Sequence, residues 1–243
     1  MSETTAIKVQ GVTKSFGKKV VLKDINLDIQ HGSIYGFIGP SGAGKTTLIK
    51  MIVGMDVADK GSVYLLGAKM PDLNILQQIG YMAQSDALYE ALTGKENLMF
   101  FASLFKLDKT EKQKRIAYAA QLVNLTADLD KRVSAYSGGM KRRLSLAIAL
   151  IQNPQVLILD EPTVGIDPEL RLSIWNELLR LKNEEGKTII VTTHVMDEAE
   201  KCDYIAMVRD GSFIESGTPH QLKEQYGVSN LDEVFLDAGR KVQ

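Results

Sequence analysis

A glycine-rich stretch between an apolar run and a helix start constrains the fold of this chain more than any other feature. The run Ile34–Ile38 reads as a buried strand and leads directly into Gly39-Pro-Ser-Gly-Ala-Gly-Lys-Thr46. These eight residues match GxxxxGK[ST] at every fixed position. Backbone N–H groups in such a loop, and the positive end of the helix that follows, attract anions. The pattern therefore predicts a strand, a phosphate-binding loop and a helix in succession.

Each position of this loop has a physical reason. Glycines at 39, 42 and 44 permit positive φ and close backbone approach, so that successive N–H groups can turn toward phosphate oxygens. Lys45 is expected to reach the terminal phosphates, and the Thr46 hydroxyl suits Mg²⁺, which prefers oxygen ligands in near-octahedral geometry. The residues predicted to contact a nucleotide here are Gly39, Pro40, Ser41, Gly42, Ala43, Gly44, Lys45, Thr46 and Thr47.

A second apolar run ends in two adjacent carboxylates. Val156–Leu159 reads as a buried strand, and Asp160 and Glu161 follow it directly. Asp160 is expected to hold Mg²⁺ through water, which leaves Glu161 to act on a water molecule. Together with the phosphate-binding loop, this is the layout of a nucleotide hydrolase.

The overall charge gives no support to a nucleic-acid partner. The 243 residues include 29 basic and 30 acidic side chains, a formal net charge of −1, so no global field attracts nucleic acid or an anionic membrane. Cys202 is the single cysteine and the first residues lack a signal-peptide pattern, which favours a reducing, cytoplasmic setting. No apolar run reaches the roughly 18 residues of a membrane span, so any span would come from another chain.

Apolar periodicity predicts two kinds of strand and one helical insertion. Alternating apolar and polar residues between Ile7 and Ile29 are typical of antiparallel strands with one solvated face. Continuous apolar runs predict buried parallel strands, with helices between them, at residues 34–38, 156–159, 188–192 and 205–208. Helical patterns cover residues 94–105, 111–123 and 137–151, where strand patterns are missing, and then residues 219–226 and 231–238.

A second anion site is indicated where the helix predicted for residues 137–151 begins. Ser137 is a good N-cap, and Gly138 and Gly139 expose backbone N–H groups at the positive end of the helix. The alternative is that Ser-Gly-Gly only caps the helix.

Two further segments each allow a structural and a functional interpretation. The basic run Lys141-Arg142-Arg143 is interpreted as a solvated helix face, with a phosphate or partner contact as the alternative. The helix predicted for residues 94–105 is apolar nearly all round. Burial inside the helical lobe is the favoured interpretation, and contact with a membrane subunit is the alternative.

With these motifs in this order, the chain resembles the nucleotide-binding subunit of an ABC transporter over essentially its whole length. The matching segments are an adenine-stacking aromatic at Phe16, Walker A at Gly39–Thr46, the Q-loop at Gln84, the signature at Ser137-Gly138-Gly139, Walker B at Asp160-Glu161, the D-loop at Gly165-Ile166-Asp167 and the switch histidine at His194. The resemblance implies an ATPase that couples hydrolysis to transmembrane transport.

The resemblance also implies an α/β fold, with a P-loop NTPase core of the RecA-like type, an antiparallel β subdomain and an inserted all-helical lobe. Residues 1–243 would form one ABC ATPase domain. Within it, residues 1–84 and 153–218 would be the ATP-binding core with the N-terminal antiparallel strands, 85–152 the helical lobe with the signature, and 219–243 a C-terminal helical tail.

The mechanism implied by the resemblance uses two subunits joined head to tail. Each ATP lies between Walker A of one subunit and Ser137-Gly138-Gly139 of the other, so ATP closes the dimer and hydrolysis resets it. The implied catalytic residues are Lys45 at the terminal phosphates, Gln84 as a sensor of Mg²⁺ and the γ-phosphate, Glu161 at the attacking water and His194 at the γ-phosphate. Mg²⁺ is implied at Thr46, Gln84 and Asp160, and no other metal is expected beside ATP.

The form of the signature points to one branch of the family. Tyr136 and Met140 stand where the family usually has Leu and Gln. Ser-Gly-Gly-Met-Lys-Arg-Arg, together with the tail Asn230–Phe235, resembles exporters in which the ATPase is a separate polypeptide paired with a six-helix permease. Drug, lipid and polysaccharide exporters belong to this branch. The implied partners are that permease and a second ATP-binding subunit, identical or paralogous, at the cytoplasmic face of the membrane.

Two alternatives remain open at the level of sequence. The same motifs permit the ATPase subunit of an importer. A non-transport ABC ATPase of DNA repair or of the ribosome is the other alternative, but such proteins carry a long coiled-coil insertion or two cassettes, and neither appears in these 243 residues. The near-zero net charge also argues against nucleic acid.

Overall fold

The chain divides into two units, which are described separately. The structure is a computed structural model and describes residues 5–85 and 87–241. One unit comprises Met1–Ile75 with Thr188–Gln243, and the other Leu76–Lys187. The first unit carries the phosphate-binding loop and His194, and the second carries Gln84, the signature and the two carboxylates. The division of a single domain into core, lobe and tail stays a prediction.

Strands and helices are labelled in chain order over the residues that the structure describes. The strands are β1 (Thr5–Phe16), β2 (Lys19–Gln30), β3 (Ile34–Ile38), β4 (Lys60–Leu65), β5 (Ala68–Lys69), β6 (Ile79–Met82), β7 (Val156–Asp160), β8 (Thr188–Thr193), β9 (Tyr204–Arg209) and β10 (Ser212–Gly217). The helices are α1 (Lys45–Ile52), α2 (Gly94–Ser103), α3 (Lys109–Leu122), α4 (Gly138–Leu150), α5 (Pro168–Glu185), α6 (Met196–Ala199), α7 (Pro219–Tyr226) and α8 (Leu231–Lys241). Among these residues, no helix is long and apolar enough to cross a membrane.

The first unit begins with the antiparallel sheet that the alternating pattern predicts. Its strand order is β2-β1-β4-β5, and each neighbouring pair is antiparallel. Ile7 and Val9 are buried in β1, whereas β1 and β2 both carry exposed residues between buried ones. The predicted antiparallel strands with one solvated face are therefore confirmed.

Parallel strands in the first unit bring its two predicted phosphate-contacting segments to one edge. Strand β3 lies between β8 and β9 and is parallel to both, while β10 adds an antiparallel edge at β9. Ile38 pairs with Thr193, so Gly39 and His194 each follow one of two paired residues. The phosphate-binding loop and His194 therefore emerge side by side at the carboxyl ends of β3 and β8.

The second unit repeats this arrangement with a shorter pair of strands. Strands β6 and β7 are parallel, and Met82 pairs with Leu159. Ala83-Gln84 and Asp160-Glu161 therefore leave the two strands at the same edge. Helices α2, α3 and α4 contact one another in this unit, as expected for the all-helical lobe.

For the helix predicted for residues 94–105, the favoured interpretation, burial of the whole helix inside the lobe, is wrong for one of its faces. Helix α2 buries Leu98 and Ala102, but Phe100 is exposed, and so is Leu104 just beyond its end. Burial inside the lobe holds for one face only, because apolar side chains on the other face remain at the surface. The second face is thus available to a partner.

Candidate functional site

Close packing around the phosphate-binding loop explains its first and last glycines. A Cβ atom on Gly39 would lie 2.2 Å from the carbonyl oxygen of Val208. Gly44 has φ 110° at the N-cap of α1, and a Cβ there would lie 2.8 Å from Leu22 Cδ2. Only glycine fits both positions, and the loop can therefore turn its backbone sharply into the start of α1.

The Lys45 side chain lies inside this loop. It is buried, and its Nζ donates hydrogen bonds to the carbonyl oxygens of Gly39, at 2.7 Å, and Pro40, at 3.1 Å. Helix α1 has no acidic residue in its first turn and Gly44 supplies no side-chain cap, so neither of these offsets the positive end of the helix. A buried ammonium beside a helix N-terminus fits a polyphosphate, and this donor set suits ATP.

Phe16 presents an exposed aromatic ring at the end of β1. Its side chain is 53% exposed, and Lys14 Nζ lies 5.2 Å from the ring centroid. Lys14 is itself held by Asp56, at 2.6 Å, and by the carbonyl oxygen of Val57, at 2.7 Å. The cation fixes the ring while much of its surface stays accessible, as a platform for a base requires.

The main chain around His194 is held in place while its side chain is exposed. The Thr193 hydroxyl donates to Oε2 of the buried Glu198, at 2.7 Å, and accepts from the backbone N–H of Val195, at 3.0 Å. These bonds fix the residues on both sides of His194. Glu198 was not predicted as part of the site, because an acidic residue on a short helix carries no distinguishing sequence signal.

The two carboxylates in the second unit have different surroundings. Asp160 is buried at the end of β7, whereas Glu161 is partly exposed and has φ 54°, in the left-handed region. A non-glycine residue in this region is uncommon and persists where its surroundings hold it. Burial, and then the neighbouring Asp160 carboxylate, raise the pKa of Tyr81 to about 12. Asp160 and Glu161 thus differ in two respects: Asp160 is buried whereas Glu161 is partly exposed, and only Glu161 has a left-handed backbone conformation.

The signature segment caps a helix and also remains accessible. Ser137 Oγ accepts a hydrogen bond from the Met140 N–H, at 3.2 Å, and Ser137 and Gly138 are both exposed. A Cβ on Gly139 would lie 3.0 Å from the Gly165 carbonyl oxygen, but a Cβ on Gly138 would meet nothing within 4 Å. Packing in this unit therefore gives a reason for Gly139 and none for Gly138.

The departure at Tyr136 is explained by packing in the lobe. Tyr136 is buried, and its hydroxyl donates to the carbonyl oxygen of Asp128, at 2.8 Å. A Cβ on Gly94 would lie 2.2 Å from that hydroxyl oxygen, so glycine at 94 makes room for tyrosine. Burial raises the pKa of Tyr136 above its usual value. Tyr136 anchors the residue before Ser137 to the lobe.

The basic run after the signature is not the solvated face that the sequence predicts. Lys141 pairs with Glu90, at 2.5 Å, and Arg143 Nη1 donates to the carbonyl oxygens of Val123 and Asn124, at 3.2 and 2.9 Å. Arg142 is buried and points to the carboxyl ends of β6 and β7. The three side chains leave α4 in different directions because successive helical residues are rotated by about 100°.

The second unit brings three of the predicted residues to one strand edge. Gln84, whose side chain is exposed, follows β6, and Asp160 and Glu161 end β7. Among the described residues, no three His, Cys, Asp or Glu side chains cluster as a metal site. Mg²⁺ needs no such cluster, since it commonly takes one or two protein oxygens and completes its shell with phosphates and water.

Comparison with known protein families and sequences gives consistent results. A family model described as ABC transporter matches residues 22–164. The Nod factor export ATP-binding protein I of Rhizobium sp. (strain N33) is 41% identical over 233 residues, which cover 95% of this chain and 76% of the relative. The linearmycin resistance ATP-binding protein LnrL of Bacillus subtilis (strain 168) is 38% identical over 249 residues, which cover 97% of this chain and 79% of that one.

Solved structures agree with the sequence matches. The structure of an ATP-binding subunit of an ABC transporter has a TM-score of 0.89 at 27% identity, covering 97% of this chain and 100% of its own. A dimeric ATP-binding cassette in a post-hydrolysis state, bound to ADP and Pi, has a TM-score of 0.81 at 29% identity, covering 87% and 98%. The predicted P-loop NTPase fold is thereby confirmed.

Proposed function

The chain belongs to the ABC transporter family as an ATP-binding subunit of the exporter type, and on this premise we propose that ATP closes two such subunits head to tail to drive a separate permease. The exposed start of α4 carries this proposal. Gly138 lies at the surface without a packing reason of its own, and exposed N–H groups at a positive helix end suit a phosphate brought by another molecule. The ATPase activity then serves transport through closure and reopening of the dimer.

Residues of the first unit would bind the nucleotide. Phe16 stacks on adenine, residues Gly39–Thr47 surround the phosphates with backbone N–H groups, and Lys45 offsets the charge of the terminal phosphates. His194 contacts the γ-phosphate and stabilises the charge that develops during hydrolysis. The side-by-side exit of Gly39 and His194 from paired strands supports these two roles.

Residues of the second unit would act on water and on the metal. Glu161 polarises the attacking water, and Gln84 reports the γ-phosphate to the helical lobe. Thr46, Gln84 and Asp160 would hold Mg²⁺, which when bound neutralises charge on the phosphates. Ser137, Gly138 and Gly139 would contact the ATP of the second subunit.

An exposed apolar patch in the second unit is the proposed contact with the permease. We call the exposed residues Tyr89, Phe100 and Leu104, together with the half-buried Phe101, the aromatic surface; the rings of Tyr89 and Phe100 lie 4.8 Å apart, and those of Phe100 and Phe101 5.3 Å apart. Leu104 follows Phe100 by one helical turn. Exposed apolar patches commonly mark protein contacts. Such a permease would hold the subunit at the cytoplasmic face of the membrane, and the export relatives favour an exporter over an importer.

The Glu161→Gln variant tests this proposal directly. It removes the carboxylate that acts on water but keeps the phosphate-binding loop, so ATP should accumulate in a closed dimer. We expect light scattering after size exclusion to show a dimer with ATP and Mg²⁺ and a monomer with ADP. Wild-type rates of ATP hydrolysis in this variant would exclude Glu161 as the acting base, and a monomer in saturating ATP would exclude closure of identical subunits.

A further inference from the structure

Arg142 occupies a position in the second unit that its neighbours in the basic run do not share. It lies on α4, the helix that Ser137 caps, and its side chain is 7% exposed. The guanidinium group donates to four main-chain carbonyl oxygens: those of Ala83 (2.7 Å), Gln84 (3.0 Å), Glu161 (2.7 Å from Nη2 and 3.3 Å from Nε) and Asp160 (from Nη2). One side chain thus joins α4 to the segments that follow β6 and β7.

Three of the four acceptors belong to residues on which hydrolysis is proposed to depend. Gln84 is the proposed sensor of the γ-phosphate, and Asp160 and Glu161 are the proposed metal ligand and base. Arg142 holds the main chain at each of these three residues. A guanidinium group is suited to this task because its planar set of five N–H donors fixes several acceptors in one geometry.

The conformation of Glu161 shows why such a restraint is useful. Its φ of 54° lies in the left-handed region, which a residue with a Cβ seldom occupies unless its surroundings impose it. Two nitrogen atoms of Arg142 donate to the carbonyl oxygen of Glu161, and one of them also donates to that of Asp160. The peptide units that set the direction of the Glu161 side chain are therefore tied to α4.

We propose that Arg142 is a positioning residue for hydrolysis: it holds Glu161 in register with the signature helix, and it acts through Glu161 on the attacking water. The inference rests on the proposed role of Glu161. Helix α4 would then serve both subunits. Its Arg142 side chain would position Glu161 in its own subunit, and Ser137-Gly138-Gly139 would contact the ATP of the second subunit.

Arg142→Gln, Arg142→Lys and Arg143→Gln separate this role from simple stabilisation. Arg143 is the matched control, because it is the next residue on α4 and also donates to two main-chain carbonyls, those of Val123 and Asn124, away from the strand ends. Thermal melting measures stability, fluorescent-ATP titration measures nucleotide binding, and steady-state hydrolysis gives kcat and KM separately.

We expect Arg142→Gln to lower kcat at least about tenfold, since misplacing a catalytic group by about 1 Å can cost roughly a hundredfold in rate. KM and the Kd for the fluorescent ATP should stay within about twofold of wild type, because the phosphate-binding loop is unchanged. Arg142→Lys should keep an intermediate kcat, since a single ammonium cannot reach all four carbonyls. Arg143→Gln should lower the melting temperature while kcat stays within about twofold.

A double variant shows whether Arg142 acts through Glu161. In single-turnover hydrolysis, adding Arg142→Gln to Glu161→Gln should cause no further loss, because the group being positioned is already gone. A further tenfold loss, or a kcat for Arg142→Lys no lower than that of Arg143→Gln, would overturn the inference. If Arg142→Gln fails to fold, Arg142→Lys carries the same comparisons. Normal turnover by Glu161→Gln would instead overturn the proposed role of Glu161, and with it this inference.

Discussion

The buried ammonium of Lys45 shows at the scale of one residue how the phosphate-binding loop prepares for its ligand. The carbonyl oxygens of Gly39 and Pro40 hold the group inside the loop, where a positive charge would otherwise be costly to bury. In its proposed role the same group donates to a bound polyphosphate, and little side-chain freedom is lost on binding because the side chain is already held.

Lys45→Ala should therefore weaken ATP binding strongly while leaving the fold intact. Hydrogen bonds to charged groups contribute about 1.5–3 kcal/mol each, so we expect the Kd for ATP to rise roughly 10- to 100-fold. Isothermal titration calorimetry measures this change directly. Lys50→Ala is the control, because Lys50 is an exposed lysine in the last turn of the same helix. Equal affinities for the two variants would contradict the assignment of Lys45.

The sequence alone predicts the position and role of the Lys45 side chain but not those of the Arg142 side chain. The position of Lys45 is fixed by the surrounding glycines and by the strand before them, so its role follows from the pattern. Arg142 stands between two other basic residues, and three adjacent cations on a helix give no sign of which one points inward. Only the packing of α4 against β6 and β7 distinguishes it. Tyr136 is similar, because its place depends on Gly94, far away in sequence.

At the scale of elements, the two glycines at the start of α4 differ in whether packing within the second unit explains them. Gly139 approaches the main chain at Gly165, which leaves little space for a side chain. Gly138 has open space where its Cβ would be and no positive φ that would call for glycine. Where the native backbone suits alanine, replacing glycine by alanine stabilises a protein by about 0.4–1 kcal/mol, because the unfolded chain has less conformational freedom to lose. Stability alone would therefore favour alanine at 138.

Gly138→Ala should consequently keep or raise the stability of the monomer while weakening ATP-dependent dimerisation. The added methyl group would stand between the exposed N–H groups and the phosphates of a second subunit. Thermal melting without nucleotide, and light scattering with ATP in the Glu161→Gln background, measure the two effects separately. ATP binding to the monomer should not change. A variant that dimerises as Glu161→Gln does would show that this glycine does not face the second subunit's ATP.

The sequence predicts strands and helices correctly where the pattern of apolar residues is long or strongly apolar. Strands β3 and β7 to β9 and helices α2 to α4 lie within a few residues of their predicted bounds. Strand β6 was not predicted, because it has four residues and includes Gly80. A Cβ on Gly80 would lie 2.1 Å from the carbonyl oxygen of Ala149 in α4. The close approach of the helix requires the glycine, and the glycine weakens the local strand pattern.

At the scale of the whole molecule, the aromatic surface is the proposed contact between the ATPase subunit and its permease. Helix α2 is apolar on both faces, and the sequence alone favoured burial of both. The structure buries Leu98 and leaves Phe100 and Leu104 exposed. Two exposed leucines of the second unit, Leu104 beyond α2 and Leu172 on α5, have the same exposure of 55%. Substituting each leucine in turn therefore compares two places on the surface while the side chain and its exposure are the same.

Leu104→Glu should release the subunit from the membrane fraction without harming its own ATPase. A charge in the aromatic surface would have to be desolvated on docking, whereas in the free subunit it stays in water. The measurements are the share of tagged subunit that sediments with membranes of its own host, and the kcat of the purified subunit. We expect the membrane-bound share to fall severalfold for Leu104→Glu and to stay at the wild-type level for Leu172→Glu.

The comparison of the two leucine variants also tests where the permease contact lies. If the contact lies on the aromatic surface, only the change beside Phe100 weakens attachment, and both purified variants hydrolyse ATP at the wild-type rate. Equal attachment of the two variants would exclude the aromatic surface as the contact. A fall in kcat for purified Leu104→Glu would mean that the substitution disturbs the lobe itself. The loss of attachment would then be a consequence of misfolding. In that case the milder substitution Leu104→Ser should lower membrane attachment without a change in kcat.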